Sequence, residues 1–150
     1  MSLKDKLMED LKQALREGDE RRKSAIRLVM AAIRNAEIEK RRELDDGEIL
    51  QIIAKEVKQR RDSIAEFEKG DRGDLIDQEK AELEVLLAYL PPQMTREEIE
   101  EAARRVIQEV GATGLGQMGE VMRRLMPQVK GRADGRLVSE VVRALLSEGA

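Results

Sequence analysis

Leucine returns every fourth residue at the start of the chain, at Leu3, Leu7, Leu11 and Leu15, with Asp5, Glu9 and Lys12 elsewhere on the cylinder. A helix turns by about 100° per residue, so this spacing draws one apolar stripe and leaves the rest of the surface to water. Comparable periods recur further on, and no segment reads as a credible strand. The residue vocabulary agrees. Leu, Ala, Glu, Arg, Lys, Met and Gln dominate, the side chains that lose least on entering a helix. Sheets draw on β-branched and aromatic residues, and here only Phe67 and Tyr89 are aromatic. The expected fold class is all-α.

Ser2 and Gly18 bracket the first helix as N-cap and stop. A second is predicted from about Glu20 to Arg42, with Ala25, Ile26, Leu28, Val29, Ala32, Ile33 and Ala36 covering more than one face, which places it between neighbours. Asp45 or Asp46 is positioned to cap a third helix carrying Ile49, Ile52, Ile53, Val57, Ile64 and Phe67 and ending near Gly70. Its polar middle, Lys55 to Asp62, is expected to project past the core. Asp74 is the expected cap of a fourth helix through Leu83, Leu86, Leu87 and Leu90, stopped by Pro91 and Pro92.

Those prolines mark the expected domain boundary, with a four-helix domain over 1–92 and a three-helix domain over 93–150. Thr95 and Glu98 have the spacing of a capping box. The helix they open carries Ile99, Ala102, Ala103, Val106 and Val110 and closes at Gly111. A short helix with Met118, Val121, Met122 and Leu125 should end at Pro127. Asp134 should cap the last helix, which bears Leu137, Val138, Val141, Val142 and Leu145.

Two absences limit the chemistry. Without cysteine there is no disulfide, thiolate nucleophile or thiolate-held metal, and without histidine the side chain most used as a base near neutral pH is missing. No catalytic residue, cofactor site or metal site is expected. The five serines lie at a terminus or within helical patterns, and none sits in a G-x-S-x-G elbow. Gly114-Leu115-Gly116-Gln117-Met118-Gly119 matches G-x-G-x-x-G, but that fingerprint needs a strand before it, and here a helix precedes it, so an interhelical turn is expected. The longest apolar runs are six residues, against roughly 20 for a bilayer span, and the first residues carry no secretory apolar core. These features predict a soluble, cytoplasmic protein with no membrane partner.

Charge is unevenly placed. The chain carries a net charge of −3, yet 21–42 holds eight basic residues against two acidic, and 119–143 six against three. Lys23, Arg27, Arg34 and Arg41 fall within about 40° of one another on the second helix, a stripe open to intramolecular pairing or to an anionic ligand. Lys130, Arg132 and Arg136 sit in a short turn before a helix N-terminus, where an anion is favoured, with Arg123 and Arg124 as further candidates. Aromatic platforms for stacking single-stranded bases are missing, so a nucleic acid read through its backbone is the expected kind.

The segment from Lys130 to Val138, together with Gly119-Glu120-Val121-Met122, Leu90-Pro91-Pro92-Gln93, the Leu7 to Asp19 stretch and Ser24-Ala25-Ile26-Arg27, resembles the YqeY-like family over essentially the whole chain. The last domain of that family is similar to the tail of the B subunit of the tRNA-dependent aspartyl/glutamyl amidotransferase. That tail typically has Asn-Pro where this chain has Asp134-Gly135, both sound as cap and first helical residue. The resemblance implies a multihelical N-terminal domain, a three-helix C-terminal domain and contact with tRNA or a tRNA-bearing complex. It also links the chain to glutamine-dependent carbon–nitrogen ligase systems, whose catalytic parts lie in other domains and subunits. The expected function is therefore that of a non-catalytic accessory in such systems, with a helical protein–protein adaptor as the alternative.

Overall fold

A computed structural model describes residues 2–70 and 72–148. Among them there are seven α-helices and no strand: α1 (Leu3–Glu17), α2 (Glu20–Lys40), α3 (Asp46–Lys69), α4 (Gly73–Leu87), α5 (Arg96–Val110), α6 (Met118–Val129) and α7 (Gly135–Glu148). The chain divides into two compact units, Met1–Leu90 and Pro91–Ala150, each with its own aliphatic core.

In the first unit α1 and α2 run antiparallel, reversed by Gly18 in a left-handed conformation (φ +69°) and by Asp19, whose carboxylate accepts from the Arg22 amide. Ion pairs hold both ends of this hairpin. Lys4 meets Glu37 at 2.9 Å, and Arg22 meets Asp10 at 3.4 Å. Helix α4 packs along both α3 and α2. Leu7, Ile26, Val29, Ile33, Ile49, Ile53, Val57 and Leu86 close the core among them. Tyr89, just after α4, donates its hydroxyl to Asp10, and Lys6 lies over its ring at 5.7 Å. Burial and the Asp10 carboxylate together push the Tyr89 hydroxyl well above the usual phenol range.

The helix pattern is as the spacing predicts, with local departures. On α1 Ala14, not Leu15, turns inward, because a strict step of four drifts around a 3.6-residue helix. Helix α2 stops at Lys40 rather than Arg42, since Arg41 adopts a left-handed conformation (φ +56°). Leu28 on its outer side is half exposed, so neighbours cover α2 less fully than its apolar girth suggests. Asp74 is not the cap of α4. Arg72 holds that position without a side-chain bond, and Asp74 lies in the first turn. The helix also ends at Leu87, leaving Leu90 in the turns that precede the prolines.

The largest departure is the middle of α3, which does not project past the core. Val57 and Arg60 are both buried, and Arg60 Nη1 donates to Glu56 at 3.0 Å while its Nε faces buried Glu82 of α4 at 3.8 Å. A residue that sequence patterning counts as solvent-facing thus carries a charge into the α3–α4 contact. Nearby Glu79 has its carboxyl raised by burial, against which Arg60 pulls it down, with Glu82 adding a smaller rise.

The second unit is a triangle of α5, α6 and α7 around Ile99, Val106, Val121, Leu125, Val138, Val142 and Leu146. Thr95 and Glu98 form the capping box of α5, and Gly111 closes that helix at φ +72°. Pro127 does not end α6. The helix continues to Val129, whose full burial holds the last turn against the core although proline forfeits one ladder bond. The glycine-rich stretch before α6 forms a 3₁₀ turn over Leu115–Gln117, and it follows a helix.

Removing one member of a buried pair leaves a charge without compensation, typically about 3–5 kcal/mol of lost stability. Arg60→Ala should therefore lower urea-unfolding stability by roughly 3 kcal/mol, whereas Arg60→Met with Glu82→Leu should recover most of it. Acid should act through other carboxylates. Glu48 is held far below the usual range by Arg42 and Lys40, Glu37 below it by Lys4, and Glu98 below it by the Thr95 amide. A lowered carboxyl favours the fold above its ordinary pKa and loses that contribution as it protonates. Thermal melts should accordingly stay high at neutral pH and fall once the pH drops below the ordinary glutamate range.

Candidate nucleic-acid interface

The turn between α6 and α7 begins at Lys130, where the backbone leaves the helix, and reverses at Gly131 in a left-handed conformation (φ +79°). The Arg132 amide then donates back to the Val129 carbonyl at 2.9 Å. The segment after the double proline braces this turn. The Met94 amide donates to the Arg132 carbonyl at 2.8 Å, and the Gln93 side-chain amide donates to the carbonyls of Gly131 (3.0 Å) and Pro91 (3.1 Å). Arg132 returns the contact through Nε to the Pro92 carbonyl at 3.2 Å.

The candidate cations therefore differ in kind. Lys130 is exposed at the head of the turn, and Arg123 and Arg124 are exposed on the outer side of α6; none of the three has an ion pair among the described residues. Arg132 is half-buried and committed by Nε to the Pro92 carbonyl, and its charge helps hold the Glu98 carboxyl low. Arg136 is exposed in the first turn of α7, where its own amide donates to the Asp134 carboxylate at 3.1 Å. Asp134 thus already supplies an anion to that helix N-terminus. An external phosphate at this turn would be met by side chains more than by free amides. The turn, α6 and the start of α7 bring Lys130, Arg132 and Arg136 into one short segment of backbone.

The cations of the α2 stripe differ among themselves in the same way. Lys23 pairs with Glu20 of its own helix at 2.8 Å, and Arg41 lies beyond the last helical residue. Arg27 and Arg34 remain on the helix, exposed and without an ion pair among the described residues. Among those residues no group of three or more acidic side chains converges as a metal site would require.

Sequence reasoning missed the brace from Gln93 and Met94. Its only trace was the position of Gln93 immediately after two prolines, which stiffen the approach but do not name what the next residue touches.

A model of the family described as Yqey-like protein matches residues 4–146. Among curated relatives, the protein named altered inheritance of mitochondria protein 41, mitochondrial, from Pyrenophora tritici-repentis is 32% identical over 144 residues, covering 94% of this chain and 79% of that protein. The protein of the same name from Kluyveromyces lactis is 41% identical over 105 residues, covering 68% of this chain and 55% of that protein. Its counterpart in Eremothecium gossypii is 36% identical over 110 residues, covering 71% and 60%. The chain spans a little over half the length of the last two. These names correct the cytoplasmic expectation, because the relatives are named as mitochondrial proteins. That expectation rested on lacking a secretory core, a feature that mitochondrial targeting segments do not use. No helix among the described residues is long and apolar enough to cross a membrane.

Gly131 has open space around the position of an added Cβ, so only its backbone angle resists substitution. Gly131→Ala should cost about 1 kcal/mol in denaturant unfolding, and Gly131→Asn clearly less, since Asn tolerates the left-handed region.

Proposed function

From the chain's membership of the YqeY-like family, we propose that it is a non-catalytic accessory of tRNA or of tRNA-dependent amidotransferase systems, contacting the tRNA backbone through its second unit. The observation that carries this reading is the set of exposed cations Arg123, Arg124 and Lys130, without an ion pair among the described residues, beside a turn that hydrogen bonds hold in one shape. A braced turn presents its charges with less ordering cost than a mobile one, which suits recognition of a shaped nucleic acid.

Arg136 joins those three as a phosphate contact in this reading, and Arg132 positions the turn while contributing charge from behind it. The choice of tRNA over other RNAs rests on the resemblance of the Lys130 to Val138 segment to the amidotransferase B-subunit tail. A chain with a net charge of −3 attracts nucleic acid only where its cations are locally concentrated, so binding is modest and strongly dependent on salt.

The test is tRNA binding at two salt concentrations by the wild type and by Arg123→Ala/Arg124→Ala/Lys130→Ala/Arg136→Ala, with Arg132 left in place so that the turn keeps its shape. The variant should bind at least about tenfold more weakly at low salt, and its affinity should fall less steeply with salt, by roughly one unit of logarithmic slope per lost contact. Equal affinity and equal slope for both proteins would remove this surface from the account.

A further inference from the structure

Residues seven apart return to nearly the same face of a helix, and α2 repeats with that period on its outer side. Leu28 and Asn35 form one row and Ala31 and Ile38 the next, the alternation of a and d positions in a helix-pairing seam. All four are exposed in the first unit, Ile38 at 69% and Leu28 at 50% of their full surface. Arg27 and Arg34 flank this seam on one side at the same seven-residue spacing, and Arg21 heads it. None of these three arginines has an ion pair among the described residues. Of the acids on α2, Glu20 is occupied by Lys23 and Glu37 by Lys4 and the Leu44 amide, which leaves only Glu39 on the opposite flank.

We propose that this face of α2 is a docking surface for an acidic amphipathic helix of another protein, whose apolar side chains settle between Leu28 and Ile38 and whose carboxylates meet Arg27 and Arg34. The charge pattern selects the occupant. A second copy in antiparallel pairing sets Arg34 against itself. In parallel pairing only Arg34 finds an acid, Glu39 of the other copy, while Arg21 meets its own image. An acidic helix satisfies both flanking arginines, Arg27 and Arg34. The seam also argues against a polyphosphate backbone, which gains from the cations but nothing from two exposed aliphatic side chains set between them.

Two synthetic peptides about three heptads long test this, both with Leu at a and d, one with Glu and the other with Lys at e and g; like charges keep each peptide from pairing with itself. Binding to the full chain is read by fluorescence anisotropy. The wild type should prefer the Glu peptide by about tenfold or more, and Arg27→Glu/Arg34→Glu should reverse that preference. Leu28→Ser/Ile38→Ser should weaken the Glu peptide by a similar factor. All four positions are exposed, so each variant should keep its helices, as circular dichroism checks. Equal binding of both peptides by the wild type, or an unchanged preference in the charge-swapped protein, would overturn the proposal. So would light scattering that shows a dimer dissolved by Arg27→Glu/Arg34→Glu, which gives the face to a second copy. Loss of tRNA affinity in that variant as large as its loss of Glu peptide would give the face to RNA instead.

Discussion

Among the described residues, neither unit has an aromatic side chain in its buried core; the buried hydrophobic residues are Leu, Ile, Val and Ala. Small aliphatic residues fill space only when helices approach closely and in register, since a core at native density leaves little void to absorb an error. The helix ends and several ion pairs serve that requirement. Capping carboxylates at Asp19 and Asp45 and the Thr95–Glu98 box fix where helices begin, and left-handed Gly18, Arg41 and Gly111 fix where they stop. The contacts of Lys4 with Glu37 and of Asp10 with Arg22 then set how far α1 can slide along α2, while Tyr89 ties Asp10 to the chain just after α4. Such pairs add modestly to stability, but they choose among registers that aliphatic stripes alone would tolerate.

The same economy governs charge. Many cations in the first unit are spent locally: Lys40 and Arg42 on Glu48, Lys4 on Glu37, Lys23 on Glu20, and Arg22 on Asp10. Among those left over two groups stand out, while Arg16, Lys55, Lys80 and Arg143 lie singly on other helices. The group on α2 borders an exposed aliphatic seam, and the group in the second unit gathers on the outer side of α6 and in the turn beyond it. A surface with both kinds of remainder suits an accessory that joins partners, because charge steers encounter while exposed apolar area gives contact its strength.

The fold was legible because helix boundaries are local chemistry. Ser2, Gly18, Thr95 with Glu98, and Gly111 act within a few residues, so their roles survive whatever the rest of the chain does. Failures came where distant atoms decide. Arg60 reads as a solvent-facing residue of a polar stretch, yet α4 brings Glu82 to it from twenty-two positions away in the chain. Pro127 reads as a stop, yet burial of Val129 outweighs the missing bond. The candidate interface was legible as a list of cations, while the differences among them were not. Arg132 is drawn inward by the Pro92 carbonyl, and Lys23 is taken by Glu20, whereas Lys130, Arg123 and Arg124 have no ion pair among the described residues.

From the sequence alone came the helical class, the order of the helices, most of their ends and the crowding of basic residues into two stretches. All of these follow from backbone geometry and from neighbours within one or two turns. Only the tertiary structure decided which charges are buried or paired, how the segment after the prolines holds the turn at Gly131, and which face of α2 is left uncovered. Those outcomes depend on which surfaces meet across long stretches of chain, and a pattern of nearest neighbours carries no record of that meeting.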